Sequence, residues 1–343
     1  MRSLPLRRKN DLDRRDTPGL RAFVVEDDPA YSAYVALLAR RFGFAVTIAR
    51  DGTEALEIAR TGAHFDLLII DWEMPGLTGI DLIESLRGEE EYSDVYAIML
   101  TGREDTAARI SALRAGYDDF VCKTASELEL TEKLNAARRL VSRQRRMDAT
   151  VRMLYGLATR DELTGVFNRR YFFAEAERLL AEQAPVDLLF IDLDNFKIIN
   201  DSWGHLAGDR ILRDVGEVLA RTTRDDDVIA RYGGDEFVML VVDVDEASLD
   251  AVTARIAREI SSLRWTFAGQ QVSVGVTSGL ARSRLLSRPT VAQLLTAGDR
   301  DLYKNKWVRK HPDVDPSLYE YDTNRAAHVI DLVDFPAKAT RKA

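Results

Sequence analysis

Cysteine is almost absent from this chain of 343 residues. Cys122 stands alone, so no disulfide can close within it, as suits a reducing, cytoplasmic setting. Long apolar runs are missing too: none approaches the ~20 residues that cross a bilayer, which argues against a membrane partner. The first nineteen residues, MRSLPLRRKNDLDRRDTPG, carry basic pairs but no apolar core of a signal peptide, and are expected to be a disordered arm (1–19). Positive charge is in deficit, with 48 Lys and Arg against 56 Asp and Glu and a net charge of −8, which argues against nucleic acid as a general partner. No helix-turn-helix pattern is recognisable. The composition is otherwise that of a globular protein, and the length suggests two or more domains.

What is present begins with alternation. AFVVE (22–26), FAVTI (44–48), DLLIID (66–71), YAIML (96–100) and DFVC (119–122) read as strands. The segments between them carry apolar residues at helical spacing, such as Tyr34, Leu37, Leu38 and Phe42. This pattern over 20–124 predicts a doubly wound parallel sheet, whose functional residues collect beyond the carboxyl ends of its strands. At those ends stand Glu26, Asp27, Asp71, Thr101 and Lys123. Three acids, a hydroxyl and a lysine at one edge suit a Mg²⁺ and phosphoryl site. The acids hold the cation, one carboxylate accepts the phosphoryl group, and the lysine and hydroxyl bind its oxygens.

With VVEDDP, IIDWEMPGLTG, MLTG and FVCK in order, the segment closely resembles the receiver domain of two-component response regulators, a flavodoxin-like α/β fold. The resemblance implies that Asp71 is the phospho-acceptor. It also implies one Mg²⁺ held by Glu26, Asp27, Asp71 and the Glu73 carbonyl, with Thr101, Phe120 and Lys123 at the switch. A cognate histidine kinase or phosphotransfer protein would be the partner. One position departs: the family usually has a cis proline after the lysine, and here Thr124 follows. A cis bond before a non-proline residue costs ~3 kcal/mol, so a trans, shifted loop is expected.

From Ala125 to Ala158 the pattern is helical. Leu130, Leu134, Ala137 and Val141 make one four-three-four seam; Met147, Val151, Leu154 and Ala158 make a second, with a register adjustment near Gln144. The expectation is a coiled-coil stalk (125–158) in a homodimer; the alternative is a helix packed on its own domain. Arg138, Arg139, Arg143, Arg145 and Arg146 are expected on a solvated face.

Further on, the run VIARYGGDEFVMLV (228–241) predicts a β-hairpin turning at Gly233-Gly234, with Asp235 and Glu236 at the start of the return strand. The glycines open the backbone to a bulky ligand, and the acids can hold hard cations. Upstream, Asp192 ends the apolar strand LLFID, and Asn195-Phe196-Lys197 opens a helix whose free amides can bind phosphate. VGVTSGLA (274–281) reads as a strand and AGDRDLYKNKWVRK (297–310) as mostly helix.

Over 159–322, TRDELTGVFNRRYF, IDLDNFKIIND, GHLAGD and RYGGDEF are similar, in order, to the GGDEF family of diguanylate cyclases, an α+β, nucleotidyl cyclase-like fold. The resemblance implies that two GTP are condensed into cyclic di-GMP with release of pyrophosphate, using two Mg²⁺ per GTP-bound domain. The metal ligands would be Asp192, Asp235 and the Leu193 carbonyl, and Glu236 would help activate the hydroxyl. Asn195, Phe196, Lys197, Gly233, Gly234, Lys306 and Lys310 would meet the triphosphate. Asn200 and Asp209 would read guanine, whose paired N1–H and N2–H donors adenine lacks. Where the family has Gly-Arg, this chain has Arg309-Lys310, so a glycine turn and a bidentate guanidinium are lost and weaker phosphate binding is expected. Arg224 and Asp227 match the family's inhibitory product site, with Arg255 as its second arginine; a plain polar loop is the alternative.

These expectations combine into a cyclase regulated by receiver phosphorylation and dimerisation. Two other readings stay open: an inactive nucleotide-binding module, and a scaffold acting through the stalk and the tail (323–343), where HVIDLVDF suits a short helix or an edge strand.

Overall fold

A computed structural model of the chain describes residues 19–102, 106–286, 289–316 and 319, with residues 106–109 by their backbone alone. The expected arm before Gly19 and the tail lie outside the described residues. Two compact units divide between Met153 and Leu154. Among the described residues, no helix is long and apolar enough to cross a membrane.

In the first unit, strands β1 (Leu20–Val25), β2 (Phe44–Ala49), β3 (Leu67–Asp71), β4 (Tyr96–Thr101) and β5 (Asp119–Cys122) form a sheet of order β2-β1-β3-β4-β5. Every pairing is parallel. Alternation along each strand sorts the side chains between two cores. Phe23, Val25, Leu68 and Ile70 pack under helices α2 (Gly52–Arg60), α3 (Gly79–Arg87) and α4 (Thr106–Ala115). Ala22, Val24, Leu67 and Ile69 pack under α1 (Pro29–Arg41) and the first half of α5 (Glu127–Thr159). With both faces covered, β3 is buried at all five positions, and this explains its unbroken apolar run.

α5 corrects part of the stalk reading. Leu130, Leu134, Ala137 and Val141 are buried, the first three in the core of the first unit, so that seam is spent on its own domain. The second seam is exposed at Met147, Val151, Leu154 and Ala158. Nor is Arg145 on a solvated face. Its Nε lies 2.5 Å from Asp66 Oδ1 and its Nη2 2.7 Å from Asp66 Oδ2. Asp66 is buried; desolvation is outweighed by His64, the Arg21 amide and Arg145, which together hold its carboxyl below the usual range.

The second unit holds a mixed sheet of order β12-β7-β9-β8-β6. Its strands are β6 (Phe167–Asn168), β7 (Val186–Leu193), β8 (Val228–Gly233), β9 (Glu236–Val242) and β12 (Val276–Arg282); β10 (Trp265–Phe267) and β11 (Gln270–Val272) form a separate hairpin. Leu189, Ile191, Phe237 and Met239 face α7 (Phe196–Trp203), α8 (His205–Thr222) and α9 (Glu246–Ser262). Leu188, Phe190, Val238 and Leu240 face α6 (Arg169–Ala181) and α10 (Val291–Lys310).

Candidate functional site

In the first unit the strand ends bring together the expected acids. Glu26 and Asp71 are buried and Asp27 is exposed, and one carboxylate oxygen from each lies within 4.8 Å of the others. Lys123 Nζ stands 2.7 Å from Glu26 Oε1 and 2.9 Å from Asp71 Oδ2. Burial pushes both carboxyls up, against the hydrogen bonds from Lys123, while the Glu73 amide helps hold Asp71 charged. Desolvation pulls Lys123 down, but Glu26 and Asp71 outweigh it and its ammonium is held above the usual range. Glu26 Oε2 is buried with no hydrogen-bond partner. An unsatisfied carboxylate oxygen beside two further acids fits a hard divalent cation.

Thr101 is buried at the end of β4, and its carbonyl accepts the Lys123 amide at 2.7 Å. Phe120 is half-buried on β5, with Lys133 Nζ 5.6 Å from its ring centre. The loop after Lys123 is trans, as are all peptides of the described residues, and Thr124 Oγ1 lies 3.0 Å from Cys122 Sγ. One residue the sequence reading missed is Gly79. A Cβ there would fall 2.1 Å from the Asp71 carbonyl oxygen, so only glycine lets α3 start against the end of β3.

In the second unit the β7–β9 register sets Asp192 opposite Glu236. The hairpin turns one residue later than expected. A bulge between Arg231 and Gly233 carries β8 through Gly233, leaving Gly234 and Asp235 as the turn. Gly234 takes a φ of +51°, a left-handed conformation that favours glycine, and the Arg231 guanidinium binds its carbonyl at 2.7 and 3.0 Å. The same guanidinium lies 3.2 Å from Asp161 Oδ1, tying the turn to the start of the domain.

Lys306 Nζ lies 2.6 Å from Asp192 Oδ1. Burial pushes the Asp192 carboxyl up, Lys306 opposes it, and the charges of Asp235 and Asp194 add to it. Glu236 is pushed up to about 7, by burial first and then by Asp192, Asp235 and Asp299, against Lys306. The Leu193 amide donates to the Asp235 carbonyl at 3.3 Å, which fixes the turn beside the end of β7. The acids of Asp192 and Asp235 with the Leu193 carbonyl are a hard-oxygen donor set suited to Mg²⁺.

Asn195 has a φ of +59° and leads directly into α7, where Phe196 is buried and Lys197 exposed. Asn200 Oδ1 is buried without a hydrogen-bond partner, and a Cβ on Gly208 would fall 2.0 Å from it. Asp209 follows on α8, half-exposed, and Lys310 is exposed at the end of α10. The structure also places Asp299, buried, and Asp194 beside this cluster, neither of which the sequence reading used. A signal for Asp194 exists in the spacing of Asp192-Leu193-Asp194, two acids one residue apart at a strand end.

Arg224 and Asp227 share the turn between α8 and β8. Asp227 is buried, and its carboxylate accepts the Arg224 amide at 3.2 Å and the Val242 amide at 3.4 Å. Burial pushes that carboxyl up, against those two amides. Arg255 Nη2 donates to the Thr222 carbonyl at 2.8 Å, which brings it from α9 to the same turn.

Residues 22–135 match the family model of the response regulator receiver domain, and residues 158–311 that of the diguanylate cyclase GGDEF domain. The response regulator PleD of Caulobacter vibrioides is 30% identical over 253 residues, 71% of this chain and 55% of PleD. The probable diguanylate cyclase DgcT of Escherichia coli is 37% identical over 117 residues, 34% of this chain and 26% of DgcT. The E. coli diguanylate cyclase DgcZ is 31% identical over 148 residues, 43% of this chain and 49% of DgcZ. The chain spans about half the length of these relatives, or less.

Proposed function

We propose, for a chain that joins a response regulator receiver domain to a GGDEF domain, that phosphorylation of Asp71 sets the rate at which two GTP become cyclic di-GMP. The observation that carries this reading is the cluster at the ends of β7 and α10. Asp192 and Asp235 lie beside an open glycine turn, with Lys306 in contact and a carboxyl near neutrality next to them. Two domains meet face to face, each holding one GTP, so the working unit is a homodimer. Glu236 accepts the proton of a 3′-hydroxyl. The hydroxyl oxygen bonds to the α-phosphorus of the other GTP, the bond from that phosphorus to the pyrophosphate oxygen breaks, and pyrophosphate leaves. A second such transfer closes the ring.

Lys306 and Lys197 balance the charge of the leaving group, and the amides at the start of α7 receive phosphate oxygens. Gly233 and Gly234 keep the turn bare for the nucleotide, and Lys310 adds charge at the end of α10. Asp192, Asp235 and the Leu193 carbonyl would hold Mg²⁺, two ions per GTP-bound domain, which would supply further neutralisation of the triphosphate. Asn200 Oδ1 and the Asp209 carboxylate accept hydrogen bonds from guanine. In the receiver, Glu26, Asp27, Asp71 and the Glu73 carbonyl would hold one Mg²⁺, which would offset charge on the phosphoryl group that Asp71 accepts from a histidine kinase or phosphotransfer protein. Lys123 and Thr101 then bind the phosphoryl oxygens, and Phe120 follows them. Arg224, Asp227 and Arg255 bind the product and slow the enzyme.

Incubation of the purified chain with GTP and Mg²⁺, with and without a small-molecule phosphoryl donor, tests the proposal. Cyclic di-GMP is expected from both samples and more from the phosphorylated one, a difference that Asp71→Asn removes. Equal turnover by the Asn variant removes phosphorylation from the account. No cyclic dinucleotide from the phosphorylated dimer ends the cyclase reading.

A further inference from the structure

We propose that Arg309 is a positioning residue for the triphosphate, acting through Asp194 on the turn that opens α7; this rests on the cyclase reading above. Lys306 and Arg309 stand one turn apart on α10, and residues three apart share a helix face. Each meets an acid at the end of β7: Lys306 takes Asp192, and Arg309 Nη1 takes Asp194 Oδ2. Asp194 is held from two further directions. Thr277 Oγ1 donates to its Oδ1 at 2.6 Å, and its own amide donates to the Gly275 carbonyl at 2.9 Å. Arg309 Nη1 also lies 3.4 Å from Thr277 Oγ1, so α10, β12 and the end of β7 join at one carboxylate.

The space is fitted to this contact. A Cβ on Gly275 would fall 2.7 Å from Asp194 Oδ2 and 3.2 Å from Arg309 Nη2. The next residue explains what the contact does. Asn195 turns left-handed, and its side chain makes no capping hydrogen bond to α7. The chain reversal that aims the α7 amides is therefore held by no side-chain cap but by the burial of Phe196, the first residue of α7, and by the contacts of the Asp194 carboxylate just before it.

The Arg309 side chain is 60% exposed, so the pair adds little to folding stability; its effect is on the placement of the turn. The guanidinium missing at position 310 is present one residue earlier, directed at the turn beside the phosphate site.

The test uses 3′-deoxy-GTP, which lacks the attacking hydroxyl, and 3′-deoxy-GMP, which lacks the β- and γ-phosphates, titrated calorimetrically into the full chain with Mg²⁺. Arg309→Met is expected to weaken the triphosphate about tenfold, the size of one charge-assisted hydrogen bond, while the monophosphate changes less than about twofold. Asp194→Asn should do the same, the double variant should be no worse than either alone, and Arg309→Lys should recover part of the loss. The melting temperature should stay within about 2 °C. Equal loss for both nucleotides, additive losses in the double variant, or no loss overturns the inference. If the unaltered chain binds neither nucleotide, the cyclase reading falls with it.

Discussion

Lys306 Nζ, on α10, and Asp192 Oδ1, at the end of β7, are 2.6 Å apart, so a cation and a buried carboxylate far apart in the sequence are already partners. Lys306→Met should lower cyclisation about 100-fold, the usual cost of removing one well-placed charge from a phosphoryl or oxyanion site. The readout is pyrophosphate release at saturating GTP. A change below about threefold would show that Lys306 serves the fold alone.

Glu236 gives a pH dependence with a defined sign. Its carboxyl is pushed up to about 7 from an ordinary 4.5, so between those values the folded protein keeps a proton that the unfolded chain has released. Stability from this group is therefore greatest at the acid end of the window and is lost as pH rises through about 7. Urea unfolding of the metal-free protein at pH 5 and pH 8 should show a steeper fall than in Glu236→Gln. Bound Mg²⁺ favours the Glu236 carboxylate, so the acid limb of activity should lie below the metal-free window and be absent from the Gln variant. Parallel stability curves would place the Glu236 pKa near its ordinary value.

The two seams of α5 should respond differently to the same insult. Leu134 is fully buried and Leu154 is 60% exposed. Leu134→Asp should destabilise the first unit by about 3 kcal/mol or more, because it buries a carboxylate among apolar side chains. Leu154→Asp should leave thermal unfolding nearly unchanged and halve the mass seen by light scattering. A Leu154→Asp protein that is still dimeric would exclude the second seam as the dimer contact.

Much of this was legible in the chain, and the exceptions share a cause. The five parallel strands announced themselves by short β-branched runs, and Glu26, Asp71 and Lys123 by standing at their ends. Asp192 and the glycine hairpin were equally visible, because a strand end and a tight turn leave local signals. The use of Leu130, Leu134 and Ala137 was not, since a stripe that packs on its own sheet and one that packs on a twin have the same spacing. The contacts Arg145–Asp66 and Arg309–Asp194 join residues 79 and 115 apart, and no periodicity in the sequence couples such positions.

β3 runs from Leu67 to Asp71, and Asp66 immediately precedes it. One extended rod thus carries the carboxylate proposed to take the phosphoryl group at its tip and, at its butt, the acid that grips the long helix through Arg145. Any sliding of that rod along its axis must either drag Arg145 with it or part the ion pair. The midpoint of α5 is in this way tied to the opposite end of the strand that carries Asp71.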